Sequence, residues 1–420
     1  MKLDTKKRKK ARKGFEQVYG QRELADRMFY VLQTGKQGLD ALQMELGVML
    51  CETIMDMERE ALSGPDWSPS SKGVYKWAYQ PGSVYIGDQK IRVRHPRLRG
   101  PQGEIQLSSY SQLKQPGSFS EEMLGRVLRG ISCRRYGETV IDAARSFGVS
   151  ASSISNRIVE ATSRKLKEFK ECNLSELNIF AIFIDTIHRA QDAFIVALGI
   201  DRAGEKHPLG FWQGATENSD ICRELFADMQ ARGLAFGKKT LWVTDGGKGI
   251  IKALRESFGT KLLHQRCTIH KDRNIQKHLP KRYRKMAHKR FTVALEQNSY
   301  ADARQMLLDF EKWLRSINES AGDSLREALE DILTLHRLKV SALLRKTLTS
   351  TNPIENMFST VRDCEANIKR YRSSAMSQRW LAAVLLHCKK GFRRIKGYAY
   401  IADLLITIEQ HFGDETVNAA

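Results

Sequence analysis

Apolar residues between positions 173 and 269 form short buried-type runs that alternate with helix-periodic segments. Three runs, NIFAIFID, DAFIVALGID and KHPLGFWQG, predict three successive strands, and NSDICRELFADMQARG after them predicts an amphipathic helix ending near Gly233. KTLWVTDGG and KLLHQR predict two further strands, separated by a helix over GKGIIKALRESFG. The order of three strands, helix, strand, helix and strand predicts an α/β core of the ribonuclease-H-like type.

The pattern divides the rest of the chain into mostly helical regions. Residues 21–118 combine a helix with a Gly-, Pro- and Ser-rich stretch, in which VYIG and IRVRHPRLRG predict a small β-hairpin unit. Its outward side chains are predicted to be Arg92, Arg94, Arg97 and Arg99. The predicted regions are a basic tail at 1–20, the N-terminal region at 21–118, a DNA-binding unit at 119–172, the first part of the core at 173–269, an all-helical insertion at 270–346 and a C-terminal helical part of the core at 347–420.

Residues 119–172 predict a helix-turn-helix. In the segment YGETVIDAARSFGVSASSISNRIVEA, Ala144 precedes the turn residue Gly148 by four positions, and Ile154 follows it by six. The second helix would present polar side chains that suit phosphates and base edges, namely Ser152, Ser153, Asn156 and Arg157. An ordinary helical hairpin packed in a core is the alternative.

The charge of the chain is strongly positive and unevenly placed. Sixty-nine Lys and Arg against 48 Asp and Glu give a formal net charge of +21. Segments 1–13, 266–290 and 369–396 carry +7, +9 and +9, which favours a nucleic-acid partner over a set of solvated helix faces. No apolar run approaches the roughly 20 residues that span a bilayer, so no membrane partner is expected. Seven cysteines, an odd number, favour a reducing compartment such as the cytoplasm.

Two aspartates follow predicted strands. Asp185 ends the first strand and Asp245 ends the fourth. If these strands are parallel neighbours, both carboxylates emerge at one sheet edge, where they would repel each other unless a cation such as Mg²⁺ lay between them. Each aspartate alone could equally be a turn residue.

Glu355 admits two interpretations. In STNPIENMF, Asn352 as N-cap and Glu355 at the third helical position would form a capping box, which is a purely structural role. The other interpretation is that the first helical turn directs this carboxylate towards the metal site.

The segments FAIFIDTIHRA, LGFWQGATENS, LWVTDGGKGIIKAL, HQRCTIHKDRN and TSTNPIENMFSTVR together resemble the Mutator-type insertion-sequence transposases. The resemblance extends from about residue 40 to 400. It implies an Asp-Asp-Glu active site on a ribonuclease-H-like core, in which Asp185, Asp245 and Glu355 hold two Mg²⁺ (or Mn²⁺) ions. One departure is that Thr186 follows the first aspartate, where a smaller residue is expected.

Other residues are predicted to support the site or to bind DNA. Cys267 and His270 form a Cys-x-x-His pair, which with His264 is still short of a four-ligand zinc site, so a hydrogen-bonding supporting role is favoured. Trp212 is either partly buried core, which is favoured, or a base-stacking residue. Basic and polar residues expected at DNA phosphates are Lys271, Arg273, Asn274, Lys281, Arg282, Arg284 and Lys285.

The predicted function is that of a DNA transposase. It would bind the terminal inverted repeats of its element and target DNA, both double-stranded, cut a phosphodiester and join the freed 3′-hydroxyl by in-line displacement. Holding two DNA ends predicts a homodimer or larger assembly, associated with the bacterial nucleoid when bound to DNA. The alternatives are a catalytically silent DNA-binding descendant and a ribonuclease-H-like nuclease without strand transfer.

Overall fold

The computed structural model describes residues 39–65, 73–86, 89–115, 121–129, 151–189, 192–214, 218–259 and 261–417. The chain divides into two compact units, one of residues 1–127 and 131–160 and one of residues 128–130 and 161–420. The predicted basic tail at 1–20 and the predicted turn around Gly148 lie outside the described residues.

The first unit contains a helix and a three-stranded antiparallel sheet. Its elements are α1 (Leu39–Ser63), β1 (Tyr75–Ile86), β2 (Gln89–Gly100), β3 (Gly103–Ile105) and α2 (Ser108–Leu113). The predicted hairpin is confirmed, because β1 pairs with β2 from Ile86 opposite Gln89 to Tyr75 opposite Arg99. One face of the sheet is buried through Val84, Ile91 and Leu98, which pack against α1. The other face leaves Arg92, Arg94 and Arg99 exposed, as predicted, and Arg97 partly exposed.

Two helices follow, α3 (Glu121–Leu128) and α4 (Ala151–Glu171). The second predicted helix of residues 119–172 is therefore present, and its Ser152 and Asn156 are exposed. The prediction that Arg157 faces outward is wrong. Arg157 lies three residues after the buried Ile154, so both fall on the same helical face, and its guanidinium lies 5.4 Å from the centre of the Tyr85 ring.

The central sheet of the second unit contains the predicted elements. They are β4 (Ile179–Arg189), β5 (Asp192–Asp201), β6 (Lys206–Gly214), α5 (Ser219–Ala231), β7 (Leu241–Thr244), α6 (Lys248–Phe258) and β8 (Leu263–Arg266). The strand order is β6-β5-β4-β7-β8. Strands β4, β5 and β6 pair antiparallel, whereas β4–β7 and β7–β8 are parallel. Helices α5 and α6 cover one face, where Phe226, Trp242 and Phe258 pack together.

The segment after β8 is helical, as predicted. It contains α7 (Thr268–Lys277), α8 (Lys281–Glu296), α9 (Tyr300–Arg315), α10 (Glu319–Arg326), α11 (Leu329–Ile332), α12 (Thr334–Arg337) and α13 (Ala342–Leu348). Phe291, Leu307, Phe310 and Leu325 form part of its own core. The chain then forms α14 (Asn352–Glu365), α15 (Ser374–Lys389), a 3₁₀ turn (Tyr398–Tyr400) and α16 (Ile401–Val417). Among the helices described, none has both the length and the apolar character needed to cross a bilayer.

A buried ion pair attaches α14 to the sheet. Strand β4 does not end at Asp185, as the sequence predicts, because β5 continues to pair with it as far as Arg189. The Arg189 guanidinium forms an ion pair with Glu365, the last residue of α14, and donates a 2.8 Å hydrogen bond to the Ser377 carbonyl on α15. Only 4% of the Arg189 side chain and 9% of the Glu365 side chain are exposed. The far end of β4 and the far end of α14 are thereby held together.

This ion pair predicts a large stability effect. Arg189→Ala should lower the free energy of unfolding by about 3–5 kcal/mol, because it leaves the buried Glu365 carboxylate without its cation. The matched control is Arg223→Ala, whose exposed pairs with Asp220 and Glu256 should contribute about 1 kcal/mol or less. Urea unfolding of both variants gives the comparison, and equal losses would contradict the anchoring role.

Candidate active site

Asp185 and Asp245 lie side by side at one edge of the central sheet. Strands β4 and β7 are parallel neighbours, which is the condition that the sequence analysis set, and their pairing ends at Ile184 opposite Thr244. Asp185 on β4 and Asp245 directly after β7 come next, so their carboxylates share the edge where parallel strands place ligands. Their proximity has an electrostatic effect, because Asp245 contributes to raising the pKa of Asp185.

Backbone amides hold both aspartates. The Thr186 amide donates a 2.8 Å hydrogen bond to Asp185 Oδ1, and the Gly247 amide donates one of 3.0 Å to Asp245 Oδ1. Gly246, between Asp245 and Gly247, has φ +93°, and a Cβ there would lie 1.9 Å from Arg266 Nε. Only glycine fits this position. The turn therefore follows β7 closely and fixes the second carboxylate.

Glu355 does not form the capping box, and its charge acts on Asp185 instead. The N-cap of α14 is Thr351, not Asn352 as predicted, and its side chain makes no capping hydrogen bond. The Glu355 carboxylate accepts a 2.8 Å hydrogen bond from Thr351 Oγ1 through Oε1. Its charge also contributes to raising the pKa of Asp185. The capping-box interpretation is wrong, and the charges of Glu355 and Asp245 both act on Asp185.

Cys267 and His270 surround the hydroxyl that holds Glu355. Thr351 lies 3.4 Å from Cys267 Sγ through both its amide and its Oγ1, and its Oγ1 lies 3.3 Å from His270 Nδ1. His270 Nδ1 is 3.7 Å from Glu355 Oε1. The Thr268 amide also donates to the Thr349 carbonyl at 3.1 Å. The segment after β8 and the segment before Glu355 are therefore joined by one hydrogen-bonded cluster.

The cluster affects the protonation of its members. Burial disfavours the Cys267 thiolate, but hydrogen bonds from His270 and Thr351 outweigh it and lower the Cys267 pKa. The same bond to Cys267 raises the His270 pKa against the effect of burial. Cys267 Sγ, a His270 ring nitrogen and a Glu355 oxygen lie within 4.8 Å of one another. His264 does not complete a zinc site, because its ring nitrogens contact Thr244 Oγ1 at 2.9 Å and Asp331 at 3.4 Å.

The surroundings of Asp185 disfavour its charged form. Burial, followed by the charge of Asp245, raises its pKa to about 7. The Thr186 amide and the charge of His270 oppose this rise, and the charge of Glu355 adds to it. Asp185, Asp245 and Glu355 offer only carboxylate oxygens, which are the donors that a hard divalent cation such as Mg²⁺ prefers, and its charge would relieve the repulsion on Asp185.

Two of the predicted DNA-contacting residues have structural partners instead. Lys271 is buried, with 1% of its side chain exposed, and its Nζ donates to Glu327 Oε1 at 2.7 Å and to the Ser324 carbonyl at 2.8 Å. The prediction for Lys271 is wrong, because it shares a helical face with the buried Ile275. Arg284 is partly buried and donates from Nε to the Leu279 carbonyl at 3.0 Å. The residues that remain on the surface are Arg273, Asn274, Lys281, Arg282 and Lys285, with Asn274 partly buried.

Trp212 belongs to the core rather than to an open surface. It is partly buried and packs against the cluster beneath α5, and Lys170 Nζ lies 5.9 Å from the centre of its ring. This environment agrees with the core interpretation that the sequence favours.

The exposed face of the first unit's sheet carries aromatic residues that sequence reasoning missed. Arg94 and Arg59 lie 4.3 and 4.4 Å from the centre of the Tyr79 ring, and Arg97 and Arg99 lie 4.3 and 5.0 Å from that of Trp77. Trp77 and Tyr79 are themselves exposed. We call this surface the arginine–aromatic face, comprising Trp77, Tyr79, Arg92, Arg94, Arg97 and Arg99, with Arg59 of α1 beside Tyr79. The i, i+2 spacing of the aromatics in YKWAY is the sequence signal that could have identified it.

Comparison with known proteins assigns the family. The model of the Mutator family of transposases matches residues 37–394. The chain is 26% identical over 279 residues to the transposase for insertion sequence element IS256 in transposon Tn4001 of Staphylococcus aureus, covering 63% of this chain and 68% of that protein. It is 28% identical over 226 residues to the transposase for insertion sequence element IS6120 of Mycolicibacterium smegmatis, covering 51% of this chain and 67% of that protein. The transposase for insertion sequence element ISRM5 of Rhizobium meliloti is 24% identical over 325 residues, covering 75% and 79%.

The chain therefore belongs to the Mutator family of transposases. The class of enzyme is a transposase, and the class of substrate is DNA.

The raised pKa of Asp185 predicts a pH-dependent stability. Between its ordinary pKa of 3.8 and about 7, the folded chain keeps a proton that the unfolded chain has released, so stability falls as pH rises through this range. In metal-free buffer, Asp185→Asn should match the wild type near pH 4 and exceed it at pH 8 by up to about 4 kcal/mol, at ~1.36 kcal/mol per pKa unit. Urea unfolding at each pH measures the difference, with exposed Asp220→Asn as control. A difference that does not change with pH would contradict the raised pKa of Asp185.

Proposed function

We propose that the chain is an Asp-Asp-Glu DNA transposase whose central sheet is a ribonuclease-H-like core. The observation that carries the proposal is the placement of Asp185 and Asp245 where the pairing of two adjacent parallel strands ends, with Glu355 close enough to influence the Asp185 pKa. The mixed sheet, with three antiparallel strands followed by two parallel ones, supports the fold assignment. Membership of a transposase family supports the activity.

In this proposal Asp185, Asp245 and Glu355 would hold two Mg²⁺ (or Mn²⁺) ions. When bound, such ions stabilise the attacking and leaving oxygens of an in-line phosphoryl displacement. Asp185 must lose its proton to act as a ligand, so a pKa near 7 couples metal binding to proton release. Thr351 orients the Glu355 carboxylate, and Cys267 and His270 position Thr351 in turn.

The proposed reaction has two stages on double-stranded DNA. Water attacks a phosphodiester at the end of the element, and the freed 3′-hydroxyl then attacks target DNA. No protein nucleophile forms a covalent intermediate in this scheme. Two ends must be held at once, so we propose a homodimer or larger assembly on the terminal inverted repeats.

Three surfaces are proposed to contact the DNA. The arginine–aromatic face places guanidinium groups beside exposed rings on a two-stranded ribbon, which is a shape that the major groove admits. Helix α4 presents Ser152 and Asn156, but not Arg157, whose side chain is buried. Lys281, Arg282 and Lys285 on the exposed side of α8 suit phosphate contacts.

Removing any one of the three acids should abolish cleavage. Asp185→Asn, Asp245→Asn and Glu355→Gln each keep the side-chain shape but remove a ligand charge, so cleavage of an inverted-repeat duplex in Mg²⁺ should fall by at least 10²-fold. Binding of the same duplex should change little. Asp220→Asn and Glu256→Gln, both exposed and paired with Arg223, are the matched controls.

The same assay separates the alternatives. A variant of one acid that cleaves at the wild-type rate would remove that residue from the site. Nicked DNA without joined products would favour a nuclease, and a wild-type chain that binds but never cuts would favour the silent DNA-binding protein.

Measuring DNA binding across a series of salt concentrations should distinguish residues that recognise the base sequence from residues that contact phosphates. Arg92→Ala/Arg94→Ala should weaken binding to the inverted repeat more than to random duplex, by about 1–3 kcal/mol for each lost bidentate base contact. Lys281→Ala/Arg282→Ala/Lys285→Ala should weaken both duplexes alike and reduce the salt slope by about 0.9 for each lost phosphate contact.

Asn156→Ala tests helix α4 in the same series, with exposed Lys312→Ala as control. If Asn156→Ala alone reduces the preference for the inverted repeat, α4 reads the sequence and the arginine–aromatic face does not.

A further inference from the structure

A cavity of about 430 Å³ lies in the second unit among α7, α8, α12 and α13. Its wall includes Thr268, the residue after Cys267, and Thr349, two residues before Thr351. The segments that hold Glu355 therefore also form one side of this cavity. Ile269, Phe291 and Leu295 give it an apolar surface, and Phe291 is almost fully buried. Its volume falls within the range of roughly 300–1,000 Å³ that is usual for small-molecule sites.

Arg345 lines this cavity and is buried without an anionic partner. Its side chain makes no hydrogen bond or ion pair with the residues that the structure describes, although Arg345 is only 8% exposed. Burial alone lowers its pKa. Other buried cations of this unit differ, since Arg189 pairs with Glu365, and Lys271 and Arg266 pair with Glu327. The guanidinium nitrogens of Arg345 are not among the enclosed, unbonded polar atoms of the described residues, so they reach the open space of the cavity, where an anionic ligand could pair with them.

The acidic side chains at the cavity do not neutralise Arg345. Asp272 Oδ2 already accepts hydrogen bonds from His288 at 2.7 Å and Gln276 at 2.8 Å. Glu296 is exposed, so its carboxylate is hydrated. Lys346 adds a second positive charge to the lining.

His336 also lines the cavity. It donates from Nε2 to the Leu295 carbonyl at 3.1 Å, and its Nδ1 is enclosed and makes no hydrogen bond with the described residues. A ligand in the cavity would thus find a guanidinium fork and an apolar wall. A planar guanidinium matches the geometry of phosphate oxygens, and an apolar wall suits the flat ring of a base.

We propose that this cavity is a nucleotide-binding site in which Arg345 pairs with the phosphate and the apolar wall contacts the base. The nucleotide has two sources with the same chemistry, a free nucleotide or a nucleotide of the DNA substrate. The second source rests on the proposed function, whereas the first does not.

Direct binding to the full chain tests the free source. Deoxyadenosine monophosphate should bind in calorimetry, whereas deoxyadenosine and inorganic phosphate, each holding half of the required chemistry, should bind at least tenfold more weakly. Arg345→Met should weaken the binding of deoxyadenosine monophosphate at least tenfold. It should also raise the Tm of the ligand-free protein, because it replaces an unpaired, mostly buried charge with an apolar side chain of similar volume. The matched control is Arg304→Met, at an exposed arginine paired with Glu330.

A second variant guards against misfolding of the first. Ala342 is exposed on the cavity lining, so Ala342→Trp should narrow the cavity while Arg345 stays in place. Ala342→Trp should also weaken nucleotide binding at least tenfold.

Fluorescence of 2-aminopurine at successive terminal positions of an inverted-repeat duplex tests the DNA source. The measurement uses Asp185→Asn protein, so that it does not depend on cleavage. A rise in fluorescence at one position that Arg345→Met removes would assign the site to a nucleotide of the DNA.

Either positive arm supports the site and identifies its source. The proposal is overturned if neither arm responds, or if inorganic phosphate binds as tightly as the nucleotide. It is also overturned if Arg345→Met lowers the Tm and leaves nucleotide binding unchanged, since Arg345 would then be a structural residue. None of these results would alter the cleavage assay of the three acids, so the two proposals fail separately.

Discussion

The repulsion that Asp245 and Glu355 exert on the buried Asp185 carboxylate is the constraint on which the site depends. Burial and the neighbouring Asp245 disfavour the charged form of Asp185, so the fold must supply the energy to keep these groups together. Gly246 allows the tight turn after Asp245, the Thr351 cluster holds Glu355, and the buried Arg189–Glu365 pair fixes the other end of α14. Such destabilised arrangements are typical of functional sites, where the binding of a ligand compensates for the stability that the fold loses.

The sequence predicts the central sheet well because its apolar runs have no other way to be buried. It also predicts the position of Asp245 at the end of a strand, since the sequence Asp-Gly-Gly is typical of a turn. The extent of β4 could not be predicted, because Asp185 remains in the strand only through its pairing with β5. The sequence could not decide the role of Glu355, because a capping box requires Asn352 as the N-cap. In the structure the N-cap is Thr351, so no capping box forms.

Single charged residues were harder to place than elements. Lys271 and Arg157 lie in basic or polar segments, yet each follows the apolar face of its helix and finds a partner from a distant part of its unit, Glu327 for one and Tyr85 for the other. Such partners are set by tertiary contacts that periodicity does not specify. The arginine–aromatic face and the unpaired Arg345 could not be predicted either, because both are defined by the residues that surround them in the folded chain.

The central claim is that Asp185, Asp245 and Glu355 together hold the metal ions that cut DNA. The most direct measurement is anomalous diffraction from crystals of the full chain bound to terminal inverted-repeat DNA in Mn²⁺. The account predicts two Mn²⁺ peaks about 4 Å apart, each within about 2–2.5 Å of oxygens from these three carboxylates, and bridged by the scissile phosphate. Mn²⁺ bound elsewhere, or a fully occupied site in which one of the three carboxylates ligates no ion, would contradict it.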